Sequence, residues 1–297
     1  MKNTKIEIVI AVCLLFYAIA FSACSKETTG ASSENTQLEK QQIISDKAVE
    51  RNDLKKFYEE YNVTGCFVLY DKNESKFVRY NPKRCAENFI PASTFKIPNT
   101  LIALETGLMK DENSQLKWDG VKRERAEWNK DQTLDSAFKV SAFWFYQEIA
   151  RRVGEERMKK YVNDFDYGNR DISGELDQFW LRGNMRISPD EQIAFLRKVY
   201  ENKLPVSERS TNILKKIMLM ESSENYKLFA KTGAGRQNEK LIGWYVGFIE
   251  QNGNVYYFAS NIEANNRNEK FMPARVEAAK KILNELGLLK GKGKEKQ

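Results

Sequence analysis

The chain has 297 residues, a net charge of +7 and no histidine. That length suits one large domain or two small ones with a sizeable core, and the missing histidine excludes Ser-His-Asp and Cys-His machinery, HExxH metalloproteases and any zinc site that needs imidazole. Acid and base work is left to Asp, Glu, Lys, Tyr or Cys, and no arginine-rich stripe with interleaved aromatics marks a nucleic-acid partner.

The chain opens with charged Met1–Lys5, an apolar run from Ile8 to Phe21, and then Ser22-Ala23-Cys24. This is the layout of a signal peptide, with an apolar core too short to be a comfortable membrane span. A cysteine directly after Ser-Ala resembles a bacterial lipobox. Residues 1–23 then read as a lipoprotein-type signal, with Cys24 the lipidated first residue of the mature chain. Simple secretion and an uncleaved anchor are the other two readings, and all three place the rest of the chain outside the cytoplasm. Residues 24–45 are rich in Ser, Thr, Glu, Asn and Gln and read as a flexible tether. The folded domain is expected at 46–297.

A short helix is expected from Lys47 to Tyr61. Val63–Tyr70, a polar turn at Asp71–Ser75 and Lys76–Tyr80 make a hairpin. Cys66 and Cys85 fall in this region, where either a disulfide or two free buried thiols is an ordinary outcome outside the cytoplasm. Pro91–Gly107 follows. A small-residue turn presents Ser93, and Ile97, Leu101, Ile102 and Leu104 recur at helical spacing up to a glycine stop. Pro98 either defines this helix start or bends it. Residues from Met109 to Glu224 are mostly helical in pattern. Phe138–Val153 reads as one helix ended by Gly154, and Ser188-Pro-Asp-Glu191 as a capped start leading to Tyr200. Strands return at Tyr226–Lys231, Leu241–Glu250 and Asn254–Asn261, with Asn252-Gly253 as a hairpin turn. A helix from Pro273 to Leu286 closes the domain. Early and late strands must pair to bury their apolar faces. The expected fold is therefore α+β, one antiparallel sheet flanked by helices with a large helical insertion.

Ser93 and Lys96 share one helical face, and a hydroxyl beside a dehydrated amine is one of the few ways to activate serine without histidine. Ser-x-x-Lys alone is weak, since Ser114/Lys117 and Ser136/Lys139 also match. Only Ser93 stands at the mouth of an apolar helix, where backbone N–H groups can polarise an anion. Lys231-Thr-Gly-Ala-Gly235 at a strand end lets a ligand lie close to the backbone beside an ammonium and a hydroxyl. Ser-x-x-Lys with a later Lys-Thr-Gly, and Ser141-Ala-Phe143 between them, is the set found in serine penicillin-interacting enzymes.

With Pro91-Ala-Ser-Thr-Phe-Lys96, Ser141 followed by Tyr146-Gln-Glu-Ile-Ala-Arg151, Tyr167-Gly-Asn169, Phe179-Trp-Leu181, Ile187-Ser-Pro189 and Lys231-Thr-Gly233, the chain resembles the class D β-lactamases, the oxacillinase family, over nearly the whole mature domain. The resemblance implies the serine β-lactamase and penicillin-binding transpeptidase fold, and hydrolysis of β-lactam antibiotics. Ser93 would be the nucleophile and Lys96 the lysine carboxylated by CO2 or bicarbonate, with no other cofactor and no metal. Trp180 would hold the carbamate, Ser141 would relay protons, and backbone N–H groups of Ser93 and Ala234 would form the oxyanion hole. Lys231, Thr232 and Gly233 would meet the substrate carboxylate, with Arg275 as a second cation. Tyr167 and Asn169 would shape the site edge, and Phe143, where the family usually has valine, would wall the lysine. Trp118, Trp128 and Trp144 read as packing. The implied partners are β-lactams and, through the N-terminal lipid alone, a membrane, with the chain a monomer or a homodimer. A penicillin-binding lipoprotein or sensor that acylates without turnover is the rival reading; a D,D-peptidase is disfavoured by Tyr167-Gly-Asn169 and Trp180.

Overall fold

β-Branched and aromatic residues at alternating positions, broken by Asn and Gly turns, build the sheet. The computed structural model describes residues 48–265 and 269–289. The expected signal 1–23, the lipidated Cys24 and the tether 24–45 lie outside the described residues. The strands are β1 (Ala48–Glu50), β2 (Thr64–Asp71), β3 (Lys76–Tyr80), β4 (Gln115–Leu116), β5 (Gln132–Thr133), β6 (Leu219–Ser222), β7 (Tyr226–Gln237), β8 (Lys240–Gln251) and β9 (Asn254–Ala264). The helices are α1 (Lys56–Glu59), α2 (Pro82–Cys85), α3 (Lys96–Glu105), α4 (Leu134–Lys139), α5 (Phe143–Val153), α6 (Glu155–Asp164), α7 (Pro189–Tyr200), α8 (Glu208–Met218) and α9 (Phe271–Glu285).

Seven strands form one sheet in the order β1-β3-β2-β9-β8-β7-β6, and β4 and β5 pair separately. The early strand β2 runs antiparallel to the late strand β9, from Thr64 opposite Glu263 to Asp71 opposite Tyr256. All chain from α2 to α8 therefore leaves and returns to the same sheet, as the strand–helix–strand pattern requires. One sheet face packs Phe67, Leu69, Leu228, Tyr245, Ile249 and Phe258 against Phe57 and Tyr58 of α1 and Ala274, Ala278 and Ile282 of α9. Alternate side chains of a strand point oppositely, and α7 packs against β2 and β9.

Three expectations are corrected. The span Lys47–Tyr61 is not one helix: Ala48–Glu50 is a strand, Asn52–Lys55 a 3-10 turn, and only Lys56–Glu59 is α-helical. The helical period there comes from Leu54, Phe57, Tyr58 and Tyr61 packing on the sheet, and it does not extend upstream. Phe138–Val153 breaks into α4 and α5 around Ser141. Strand β7 does not end at Lys231 but runs through Thr-Gly-Ala-Gly to Gln237. Ser188 caps α7 as read, accepting from the Glu191 N–H while Glu191 accepts from the Ser188 N–H at 2.9 Å. Cys66 and Cys85 are free and buried; the Cys85 thiol donates to the carbonyls of Phe67 and Tyr80, each at 3.5 Å.

Candidate active site

Ser93 projects from a strained turn. Ala92 has φ +48°, a left-handed conformation that side chains with a Cβ rarely adopt, and its N–H donates to the Trp180 carbonyl at 3.0 Å. Ala92–Phe95 is a 3-10 turn that passes directly into α3. Pro98 stands in the first turn of α3, where a missing N–H removes little, so it belongs to the helix start and does not bend it. Every residue of α3 from Lys96 to Leu104 is buried, the polar Asn99 and Thr100 along with the apolar positions.

Lys96 Nζ lies 3.0 Å from Ser93 Oγ and 5.0 Å from the centre of the Tyr146 ring. Complete burial lowers the Lys96 ammonium from its ordinary 10.5 to about 7, because a dry surrounding penalises the charged form. Trp180, also fully buried, stacks on Phe95 with ring centres 5.3 Å apart. Its indole N–H has no acceptor among the described residues. An orphaned buried donor is costly, and such donors are rare in native proteins.

A second lysine and serine approach from the other side. Lys231 Nζ donates to Ser141 Oγ and, at 2.9 Å, to the Thr232 carbonyl. Burial, then the charges of Lys96, Arg275 and Arg125, push Lys231 well below the ordinary lysine range. Ser141 sits between α4 and α5 with φ +56°, the second non-glycine residue held left-handed in the site.

The Lys-Thr-Gly strand reaches the Ser93 turn because of its glycines. A Cβ on Gly233 would lie 3.0 Å from the Pro91 carbonyl oxygen and 3.2 Å from a Thr94 methyl, and one on Gly235 would lie 3.3 Å from the Ala92 Cβ. Strand β6 pairs only with Lys227–Phe229 of β7, so Lys231–Gly235 runs past the end of its outer neighbour. Thr232 and Ala234 are half-buried on this stretch. Arg275 reaches it from α9, donating to the Gly233 carbonyl at 3.1 Å and to the Met272 carbonyl at 3.0 Å. Burial, with the nearby charge of Arg125, lowers Arg275 to about 10.

The three wall residues are placed differently from one another. Tyr167 is completely buried, edge-on to Phe95 at 5.5 Å and to Phe195 at 4.9 Å. Its hydroxyl accepts from Gln192 Nε2 at 3.4 Å, and the same amide donates to Thr94 Oγ1 at 2.9 Å. Tyr167 therefore braces the Ser93 turn from behind. Asn169 is exposed and ties two loop segments, donating to the Asn184 carbonyl at 2.8 Å and accepting from the Arg186 N–H at 2.9 Å. Phe143 is half-buried, edge-on to Trp128 at 5.1 Å, with the Arg123 guanidinium 5.4 Å from its ring centre. The ring found beside the Lys96 amine is that of Tyr146.

Sequence reasoning missed Gln192, the role of the Tyr146 ring, and Gly243. A Cβ at Gly243 on β8 would come within 2.6 Å of Arg275 Cγ, so this glycine clears the path of the arginine stem. Glycine inside an apolar strand is the one available signal for such a close approach.

Two Ser–Lys pairs meeting at a glycine-bearing strand, with an arginine beyond, define a transpeptidase-type serine acyl-transfer site. Residues 65–286 match the penicillin binding protein transpeptidase domain family. The β-lactamase OXA-48 of Klebsiella pneumoniae is 50% identical over 206 residues, 69% of this chain and 78% of that protein. A class D β-lactamase structure from Sebaldella termitidis is similar at a TM-score of 0.79 and 40% identity, over 83% of this chain and 100% of that one. The C-terminal domain of the Bacillus licheniformis BlaR penicillin receptor is similar at a TM-score of 0.78 and 32% identity, over 83% and 99%. The chain belongs to the class D β-lactamases, serine hydrolases on the penicillin-binding transpeptidase fold.

Proposed function

We propose that this chain hydrolyses β-lactam antibiotics through an acyl-enzyme on Ser93, with Lys96 carboxylated, and so confers resistance on its bacterial host. Ser93 Oγ attacks the lactam carbonyl carbon, an ester forms, and the ring C–N bond breaks. The backbone N–H groups of Ser93 and Ala234 are the donors for the developing oxyanion. Ser141, hydrogen-bonded to Lys231, delivers the proton that the ring nitrogen gains. Lys231, Thr232 and Arg275 hold the ring carboxylate, Arg275 fixed by its bond to Gly233. Water then cleaves the ester, freeing Ser93 and the ring-opened acid.

The residues present fit a carboxylated lysine. A neutral amine is required for CO2 uptake, and burial favours that form in Lys96. The orphaned Trp180 indole N–H would gain an acceptor. When formed, the carbamate supplies an anionic base for Ser93 and for the deacylating water. The observation that carries the proposal is the 3.0 Å contact between Ser93 Oγ and an amine sealed from water.

Export through residues 1–23, with lipid on Cys24 and the membrane met only through it, is part of the same proposal. The enzyme would then stand outside the cytoplasm, where β-lactams act. The similarity to the BlaR receptor domain supports one second reading, a sensor that acylates and stops. Purified protein with a chromogenic cephalosporin and bicarbonate separates the two. The proposal expects product to pass one mole per mole and keep rising, whereas a burst that ends at one equivalent would establish the sensor instead.

A further inference from the structure

The loop between β4 and β5 carries a cation that the proposed chemistry does not use. Arg125 opens a 3-10 turn (Ala126–Trp128), and its guanidinium lies 4.8 Å from the centre of the Trp128 ring. Trp128 in turn is anchored in the site: its ring meets Phe143 edge-on, and its indole N–H donates at 2.9 Å to the carbonyl of Val140, the residue before Ser141. The loop is pinned on both sides of Arg125. Asn129 accepts from the Arg123 N–H at 2.7 Å and donates to its carbonyl at 2.9 Å, and Gln132 donates to the Glu127 carbonyl at 2.7 Å. Arg125 is thus held, through Trp128 and Val140, beside Ser141, whose hydroxyl accepts from Lys231. The Arg125 charge is one of those that lower Lys231 and Arg275.

The charged neighbours differ in how firmly they are paired. Arg123 is clamped by both oxygens of Asp119. Among the described residues Arg125 pairs only with Glu127, and both side chains of that pair are exposed, 44% and 40%. An exposed ion pair is worth about 0–1 kcal/mol, so a carboxylate on a bound ligand competes readily with Glu127. The ring carboxylate of a β-lactam already has Lys231, Thr232 and Arg275, which leaves Arg125 for an anionic group elsewhere on the ligand.

We propose that Arg125 is a specificity-determining residue that selects dianionic β-lactams, those carrying a second carboxylate on the acylamino side chain. The inference rests on the β-lactamase reading and adds a substrate class to it. The probe is a matched pair, benzylpenicillin and carbenicillin, which differ by one side-chain carboxylate. The quantity read is the ratio of kcat/KM for carbenicillin to that for benzylpenicillin, so that any effect on the shared ring carboxylate cancels. Arg125→Gln is expected to lower this ratio about fivefold, the order expected for one charge pair in a partly solvated cleft. Arg125→Lys should keep most of it, and Glu127→Gln should raise it. Added salt should shrink the wild-type ratio and leave that of Arg125→Gln nearly fixed. An equal ratio in wild type and Arg125→Gln overturns the proposal. Should benzylpenicillin stop at one equivalent, the hydrolysis reading falls, yet acylation rates of the same pair, followed by intact mass, still decide the role of Arg125.

Discussion

Replacing Lys96 by methionine should make the protein more stable. The Lys96 ammonium is ordinarily protonated below 10.5 but in the fold only below about 7. Between those values the unfolded chain binds a proton that the folded chain lacks, so stability rises with pH across that window. Each tenfold change in proton affinity corresponds to about 1.36 kcal/mol, so the folded state carries a penalty of about 4 kcal/mol at pH 7 and about 5 kcal/mol well below it. Methionine has similar length and no charge to desolvate. Lys96→Met should therefore gain about 4 kcal/mol at pH 7, which for a domain of this size is roughly 8–16 °C in Tm. Urea titrations in CO2-free buffer from pH 6 to 10 measure it. The gap between the two proteins should close as pH approaches 10.5, because an exposed lysine also loses its proton there. Lys231 is depressed too, in part by the charge of Lys96, so removing Lys96 also relieves Lys231 and adds to the gain where Lys96 is protonated. A variant no more stable than wild type at pH 7, or a gap independent of pH, would refute a dry, proton-poor Lys96. Activity should vanish in the same variant, a trade of function against stability.

Trp180→Phe removes the unpartnered indole N–H and should raise the bicarbonate needed for half activity about tenfold, the worth of one good hydrogen bond to a charged group; 13C NMR of the carbamate reads it directly, and an unchanged bicarbonate dependence would detach Trp180 from Lys96. Gly243→Val places a branched side chain on the Arg275 stem, where even a Cβ comes within 2.6 Å, so KM should rise several-fold with a smaller change in kcat. An unaltered KM would show that Arg275 does not hold the substrate carboxylate. Gln192→Leu deletes the amide that joins Thr94 to Tyr167 and should cost about 1–3 kcal/mol in urea unfolding while lowering the acylation rate of Ser93. Loss of stability with no change in acylation would make Gln192 a packing residue only.

Much of this architecture could be read from local signals where local chemistry decides. The Ser188 capping box and the Asn252-Gly253 turn are such cases, each with its partner within a few residues; Asn252 and Gly253 both take positive φ, 51° and 74°. Reading failed where a distant partner decides. Val140-Ser141-Ala142 continues the apolar rhythm of a helix, yet Ser141 turns left-handed and is held by Lys231, on a strand far along the sequence. Thr-Gly-Ala-Gly after Lys231 has turn composition, yet those residues continue a twelve-residue strand, because the glycines admit the Pro91–Thr94 turn rather than reverse the chain. The Tyr167-Gly-Asn169 motif was legible as a unit, but its burial was not. Nothing in three residues shows that the tyrosine points inward to Gln192 while the asparagine points out to a loop. The β7–β8 turn at Asn238-Glu239 takes I′-like positive φ values of 50° and 65° without a glycine, so composition gave little warning of it.

The site departs from local preference in four ways at once: Ala92 and Ser141 are left-handed, Lys96 and Lys231 are buried, the Trp180 N–H is unpartnered among the described residues, and α3 has no exposed face along Lys96–Leu104. Conflicts of this kind concentrate at functional sites, and here they share one physical purpose. An exposed lysine at pH 7 is neutral in only about one molecule in several thousand. With its ammonium lowered to about 7, Lys96 is neutral in about half the molecules, an enrichment of about a thousandfold in the form that can add CO2 or accept a proton. Histidine would offer a neutral base at this pH without any burial, but the chain has none. In the proposed mechanism, the all-round burial of α3 takes the place of imidazole. A change that lets water reach Lys96 should relieve the folding penalty and forfeit the base together, since both follow from the same dehydration.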